Sequence, residues 1–254
     1  GFTQPTPVQS QVLPPALEGR DLLVCAATGS GKTAAFLLPM LQRFVDQPRA
    51  QGGTRALVLV PTRELARQVL NQFMALASYT RAFAGVITGG APMRHQIADL
   101  RRNPELLIAT PGRLVEHLER GSADLGDLEL LILDEADRML DMGFSLDVLN
   151  IIGGCNAERQ SLLFSATLDH RDLKPITDRL LRDPLLVMTN PVREQHPDIR
   201  HQVLLADDAV SVPAVGVHLR VPGHDRFPGI AAGDPLQDRA VLVGIEETGQ
   251  RPAK

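Results

Sequence analysis

Residues 21–33 read DLLVCAATGSGKT: an apolar run, Asp21–Ala26, passes into Ala26-Ala27-Thr28-Gly29-Ser30-Gly31-Lys32-Thr33, and the helical stretch Ala34–Phe44 follows. A β-rich run, a turn holding two glycines and a helix start together make a phosphate cradle. Gly29 and Gly31 let the backbone turn so that successive N–H groups point inward, and the helix adds its positive end. On this reading Ala27, Thr28, Gly29, Ser30 and Gly31 wrap the phosphates. Lys32 neutralises the β and γ groups, and Thr33 offers its hydroxyl to Mg²⁺. The usual pattern opens with Gly where this chain has Ala26, and the ordinary alternative is a glycine-rich turn between strand and helix. Composition speaks against that alternative. Of the 26 basic residues only Lys32, Lys174 and Lys254 are lysine and 23 are arginine, so a lysine inside such a loop is not casual.

Outward from this stretch, short apolar runs alternate with amphipathic segments. The runs are Arg55–Val60, Ala84–Thr88, Leu106–Thr110, Leu128–Leu133, Ser161–Ser165 and Leu185–Met188. In Arg63–Ala77, Leu65, Val69, Phe73 and Leu76 recur at threes and fours, the spacing of a helix with one buried face, and Arg113–Arg120 and Asp172–Leu181 read similarly. Such alternation predicts an α/β fold, a mostly parallel sheet with helices on both faces. Ligands then collect beyond the carboxyl ends of the strands.

At one of those ends Leu130–Leu133 runs into Asp134-Glu135-Ala136-Asp137. A buried strand that delivers carboxylates suits a nucleotide site, because Mg²⁺ needs hard oxygen ligands and an attacking water needs orientation. Asp134 is expected to serve the metal and Glu135 the water. Acidic residues complementing a helix start are the alternative.

The bulk numbers are those of an ordinary globular chain: 254 residues, 44% hydrophobic, 22% charged and net charge −4, which excludes collagen-like or wholly disordered protein. The mild acidity excludes a histone-like polycation but leaves room for a local groove that holds nucleic acid by its backbone. No apolar run approaches the roughly 18 residues that span a bilayer. Cys25 and Cys155 stand in no metal-like or disulfide-framework spacing, and a reducing cytoplasm is the expected setting. His95, His117, His170, His196, His201, His218 and His224 form no ligand cluster and are expected on the solvated surface. Arg101-Arg102 reads as an exposed helix end.

Asp134–Asp137 spells DEAD, and the rest of a motif set follows in order: GFTQPTPVQ at 1–9, PTRELA at 61–66, Gly89-Gly90, TPGR at 110–113 and SAT at 165–167. Over Gly1 to about Asp208 the chain resembles the first RecA-like domain of a DEAD-box ATP-dependent RNA helicase, a P-loop NTPase fold. The resemblance implies ATP and Mg²⁺ as cofactors, with Gln9 hydrogen-bonding adenine bidentately and Thr6 supporting it. It implies RNA held by phosphate and sugar contacts from Pro61, Thr62, Arg63, Gly89, Gly90, Thr110, Pro111, Gly112 and Arg113, without sequence reading. Strand ends, turns and helix caps are the ordinary alternative for these loops. Ser165 and Thr167 are implied to couple the ATP site to strand separation through hydroxyl bonds to Asp137.

Past Asp208 the texture changes. Residues 209–254 hold 5 Pro and 6 Gly in 46 positions, about 24%, against about 14% before. This segment is expected to be a linker, a divergent extension or disordered. The family's second RecA-like domain, which completes the RNA cleft and supplies arginine fingers, is not recognisable there. The expected molecule is therefore half a motor with little turnover of its own, beginning at Gly1 as a fragment does. The competing expectation is an isolated nucleotide- or RNA-binding module without catalysis.

Overall fold

In the computed structural model, which describes residues 4–48, 53–168, 170, 172–189 and the backbone of strands at 199–206 and 240–247, the chain forms two compact units, Gly1–Pro191 and Val192–Lys254. The first is built on β1 (Leu22–Cys25), β2 (Ala56–Leu59), β3 (Ala84–Ile87), β4 (Leu106–Ala109), β5 (Leu130–Leu133), β6 (Gln160–Ser165) and β7 (Leu185–Met188). They lie in the order β3-β4-β2-β5-β6-β1-β7, and every pair is parallel. All seven apolar runs of the sequence are strands.

The helices are α1 (Pro7–Leu17), α2 (Lys32–Asp46), α3 (Arg63–Leu76), α4 (Met93–Leu100), α5 (Pro111–Glu119), α6 (Ala136–Asp141), α7 (Ser145–Gly154) and α8 (Leu173–Leu180). Alternate residues of each strand feed different cores. Val58, Ile108, Leu130 and Ile132 pack with Val12 of α1, Phe36 and Met40 of α2 and Phe73 of α3. Leu57, Leu107, Leu131 and Leu133 pack with Leu114 of α5, Met139 of α6, Ile151 of α7 and Ile176 of α8. With both faces covered, β2, β4, β5 and β6 are buried end to end, which is why β2, β4 and β5 read as unbroken apolar runs; β6 buries Gln160, Ser161 and Ser165 as well.

Polar pins hold the amino-terminal ends of the strands. Arg55 is 1% exposed and forks onto Glu129, Nε to Oε1 at 2.9 Å and Nη2 to Oε2 at 3.0 Å, with its guanidinium 4.8 Å from the Phe44 ring. Asp21 accepts from the N–H groups of Ser161 at 2.7 Å and Arg182 at 2.8 Å. Two cavities at this end, of about 340 and 520 Å³, are lined by Arg43, Arg159, Arg179 and Arg182 among others. Arg43, Arg159 and Arg182 are already engaged there, on Gln160 Oε1 and the Glu129 carbonyl, on the Asn156 carbonyl, and on the Ala157 carbonyl respectively.

In the second unit β8 (Ile199–Ala206) pairs antiparallel with β9 (Ala240–Glu247), Ile199 opposite Glu247 and Ala206 opposite Ala240. The rest of the 209–254 segment lies outside the described residues.

Candidate functional site

β1 extends its ladder by one residue, the Ala26 N–H donating to the Ser165 carbonyl at 3.0 Å. Ala26 is buried and its φ is not positive, so a Cβ is accepted where the usual pattern has glycine. Freedom is needed instead at Gly29, φ +80°, and Gly31, φ +95°. A Cβ on Gly31 would also lie 2.7 Å from Gln9 Nε2. The loop is thus fitted closely to the start of α1 behind it. Lys32 opens α2, is buried, and donates from Nζ to the Ala26 carbonyl at 3.1 Å, closing the loop on itself. Ser30 Oγ donates to the Ala27 carbonyl at 2.7 Å. Thr28 and Thr33 are not buried.

Thr6 and Gln9 begin α1 as a capping box with Pro7 in the first turn. The Thr6 N–H donates to Gln9 Oε1 at 3.0 Å, and Gln9 Nε2 donates to the Gly31 carbonyl at 3.1 Å. Gln9 is buried, and these bonds leave one amide N–H and one oxygen lone pair unused. Residues 1–3 of the stretch GFTQPTPVQ lie outside the described residues.

Asp134 follows β5 and is buried; burial pushes its carboxyl up to about 6, with Lys32 pulling it down and Glu135 pushing it further up. A buried carboxylate that ionises at a cost favours a cation beside it. Among the described residues no three His, Cys, Asp or Glu side chains converge as a metal cage. Mg²⁺ needs none, since it keeps several waters and takes one or two carboxylates with substrate phosphates. Asp134 is such a carboxylate, and Lys32, whose charge acts on it, is followed directly by Thr33. Glu135 sits at φ +54°, ψ +51°, a left-handed conformation that costs a non-glycine residue roughly 1–3 kcal/mol. The bend turns β5 directly into α6 and leaves Glu135 Oε2 against Arg138 Nη1 at 3.2 Å.

Asp137, one residue into α6, reaches the end of β6. Its Oδ2 accepts from the N–H groups of Ala166 and Thr167 at 3.1 Å each and from Thr167 Oγ1 at 3.5 Å. Ser165 departs from expectation: it is fully buried as the last residue of β6, and its hydroxyl donates to the Thr167 carbonyl rather than to Asp137. The junction is made by backbone N–H groups and Thr167, with Ser165 bracing the turn from inside.

On the other half of the sheet, β2, β3 and β4 end in the remaining motifs. Pro61 is buried, and Thr62 caps α3, its Oγ1 accepting from the Leu65 N–H at 3.3 Å. Arg63 is exposed, and its Nη1 would lie 3.3 Å from a Cβ on Gly90, which has φ +83°. A Cβ on Gly89 would meet nothing within 4 Å. Thr110 precedes α5 with Pro111 in its first turn, and Gly112 backs onto Asp147 and Phe144. Arg113 reaches across to the Ala91 carbonyl at 2.8 Å and to Gln96 Oε1 at 3.4 Å. The Arg63 and Arg113 contacts join all three loops.

Gln96 carried no expectation, and His117 contradicts one. His117 is completely buried, not solvated, with Nε2 3.0 Å from Gln96 Oε1 and Nδ1 2.8 Å from Ser122 Oγ. With Arg113 it faces Gln96 of α4 from α5, a position no sequence count reveals. His95 is exposed, and His170 Nε2 meets Asp141 Oδ1 at 3.3 Å. His196, His218 and His224, and the side chain of His201, lie outside the described residues. Arg101 and Arg102 are exposed, with the Arg102 guanidinium 4.3 Å from the Phe83 ring centre.

Comparison with known proteins agrees with this geometry. The chain is 44% identical over 220 residues to the ATP-dependent RNA helicase SrmB of Escherichia coli, a match that takes in 86% of this chain and 50% of SrmB. It is 44% identical over 205 residues to the probable ATP-dependent RNA helicase DDX27 of Homo sapiens, covering 80% of this chain and 27% of that protein. A hypothetical ATP-dependent RNA helicase from Sulfolobus tokodaii superposes with a TM-score of 0.67 at 35% identity, over 74% of this chain and 54% of that one. The seven-stranded parallel sheet is therefore RecA-like, and the chain spans half or less of the curated relatives named here. Residues 6–176 match the family described as DEAD/DEAH box helicase; that span contains the six strand ends from which the site is assembled, and the chain belongs to this family.

Proposed function

We propose that this chain is the ATP-handling first domain, residues 1–208, of an ATP-dependent RNA helicase, working in the cytoplasm on RNA without sequence preference. The observation that carries the reading is the convergence of a buried lysine and a buried carboxylate, Lys32 and Asp134, beneath a loop whose two glycines have positive φ. Lys32 exchanges its Ala26 carbonyl for the β- and γ-phosphates, and the loop N–H groups from Ala27 to Thr33 hold the rest. Asp134 and Thr33 hold Mg²⁺, which supplies charge neutralisation at the phosphates. Glu135 orients the attacking water, and the free edge of the Gln9 amide reads adenine.

The nucleotide state reaches RNA through Asp137, whose bonds to Ala166 and Thr167 tie α6 to the end of β6. Thr62, Gly89-Gly90 and the start of α5 offer N–H groups and hydroxyls to RNA phosphates, with Arg63 and Arg113 supplying charge. Strand separation follows from ATP-gated closure on a bent strand rather than from long translocation. Closure requires a second RecA-like domain, and the loss of its arginine fingers costs roughly 10³–10⁵ in rate in related phosphoryl-transfer systems. Residues 1–208 alone should therefore bind nucleotide and barely turn it over.

The test is titration of a fluorescent ADP analogue with Mg²⁺ into this chain and into Lys32→Ala, followed by ATP hydrolysis with and without single-stranded RNA. Lys32-dependent binding with negligible turnover supports the proposal. RNA-stimulated turnover overturns the half-motor part of it, and absence of nucleotide binding overturns the ATP site.

A further inference from the structure

α4 lies on the surface, and its single buried side chain is an amide, Gln96, 4% exposed. An amide taken from water without partners is costly, and this one is engaged at both ends. Nε2 donates to the Thr88 carbonyl at 2.8 Å, while Oε1 receives Arg113 Nη1 at 3.4 Å and stands 3.0 Å from His117 Nε2. Arg113 Nη1 also donates to the Ala91 carbonyl at 2.8 Å. The carbonyls on either side of Gly89-Gly90 are thus gripped by two side chains that meet each other at Gln96 Oε1, and the fully buried His117 ring closes the cluster from α5.

We infer that Gln96 and His117 form a buried latch that sets the glycine pair 89–90 against the amino-terminal end of α5, and that RNA affinity on this edge depends on it. The inference rests on the RNA reading above. Gln96 and His117 are positioning residues: neither faces a ligand, and both act through Thr88, Ala91 and Arg113. Glycines at 89 and 90 leave that loop many conformations, so its N–H groups form one phosphate cradle only if something outside the loop selects it.

The proton arrangement is consistent with a static latch. Because Gln96 Nε2 is committed to Thr88, Oε1 faces the ring, and the neutral ring carries its proton on Nε2. The Ser122 hydroxyl, which also lies 3.1 Å from the His117 carbonyl, then donates to Nδ1. The charged groups about the ring are Arg113, Glu116 and Arg120 on its own helix. α4 presents only the uncharged amide, and the loop after α5 presents the Ser122 hydroxyl. Burial, aided by Arg113 and Arg120, holds the imidazole below its usual range, so it stays neutral at pH 7.

The test measures binding of a fluorescein-labelled single-stranded oligouridine by anisotropy at fixed low salt, and of a fluorescent ADP analogue in parallel. Gln96→Met keeps the bulk and removes every bond that Gln96 makes, to Thr88, Arg113 and His117; it should weaken RNA binding roughly tenfold and leave the ADP analogue unaffected. Gln96→Glu keeps the acceptor for Arg113 and His117 but loses the donor to Thr88. Its carboxylate favours a charged imidazole, so RNA affinity in this variant should fall from pH 6 to pH 8 where the unmodified chain is flat. Arg63→Glu, an exposed charge reversal, tests the RNA reading by itself. Loss of RNA binding in Arg63→Glu with none in Gln96→Met overturns the latch. No loss in Arg63→Glu overturns the RNA reading of this edge and the latch with it. Equal loss of RNA and nucleotide binding in Gln96→Met marks a merely structural residue and also overturns the latch. If Gln96→Met does not fold, Gln96→Glu decides: weaker RNA binding that falls with pH supports the latch, and a pH-independent affinity overturns it.

Discussion

Replacing Asp134 with asparagine should make the fold more stable while it weakens Mg²⁺-dependent nucleotide binding, because this carboxylate is placed for a cation rather than for the folded state. Its carboxyl titrates at about 6 in the folded chain against 3.8 for the free group. Below pH 3.8 both folded and unfolded chains hold the proton and the residue is neutral to stability. Between 3.8 and 6 the unfolded chain ionises while the folded one keeps its proton, so stability falls with rising pH. Above 6 the penalty is complete, about 3 kcal/mol from the difference between the two values. Asparagine retains an oxygen for the Glu135 N–H and carries no charge. Its advantage over the unmodified chain should be near zero at pH 4 and about 3 kcal/mol at pH 7.5, which for a domain of this size raises Tm by about 6–12 °C. Mg²⁺ with a nucleotide should narrow the gap, since only the carboxylate gains from the cation. The assay is thermal unfolding followed by circular dichroism from pH 4 to pH 8, with and without Mg²⁺–ADP. An asparagine variant no more stable than the parent at pH 7.5, or equally favoured at pH 4 and pH 7.5, would refute the reasoning.

Three further outcomes follow from the packing. Gly31→Ala places a Cβ 2.7 Å from Gln9 Nε2 at φ +95°; it should abolish binding of a fluorescent ADP analogue and lower stability by about 1–2 kcal/mol in urea titration. Asp137→Ala removes the acceptor for two N–H groups and a hydroxyl; it should cost about 1–3 kcal/mol and accelerate amide exchange at Ala166 and Thr167, with exchange unchanged at Lys32. Arg55→Ala removes a fully buried guanidinium and its two bonds to the half-buried Glu129 and should destabilise by about 1–3 kcal/mol, read as a lower midpoint in urea.

β2, β4 and β5 were legible because a parallel strand covered on both faces has no polar alternation to confuse with a helix, and the less buried β1, β3 and β7 were legible as short apolar runs between helical stretches. Helices α2, α3, α5 and α8 were legible from spacing or from the loop that opens them. The other four were not, for separate reasons. α1 contains Pro14 and Pro15, although Thr6-Pro7-Val8-Gln9 is a capping-box sequence that could have announced it. α6 is only six residues long, Gly143 at φ +83° separates it from α7, and neither helix opens on a side-chain cap. α4 buries only Gln96, so it has no apolar stripe to read. The same reason hid the latch: a buried amide and a buried imidazole look like surface residues in a sequence.

The sequence by itself determined which residue types stand at each strand end, because a glycine-rich loop with its lysine, an acidic strand end and glycine turns are local patterns. What only the tertiary structure decided is which ends are neighbours. The order β3-β4-β2-β5-β6-β1-β7 puts the phosphate loop, the Ser165–Thr167 turn and the Asp134–Asp137 end on three adjacent strands, and the glycine pair, TPGR and PTRELA on the other three. That order arises from crossovers that bury helices on both faces of one sheet. Crossovers carry no sequence signal of their own, since nothing in a strand's residues names the strand it will lie beside. The same burial makes Asp134 hard to ionise and His117 hard to protonate, and burial of a polar group is a property of the folded whole.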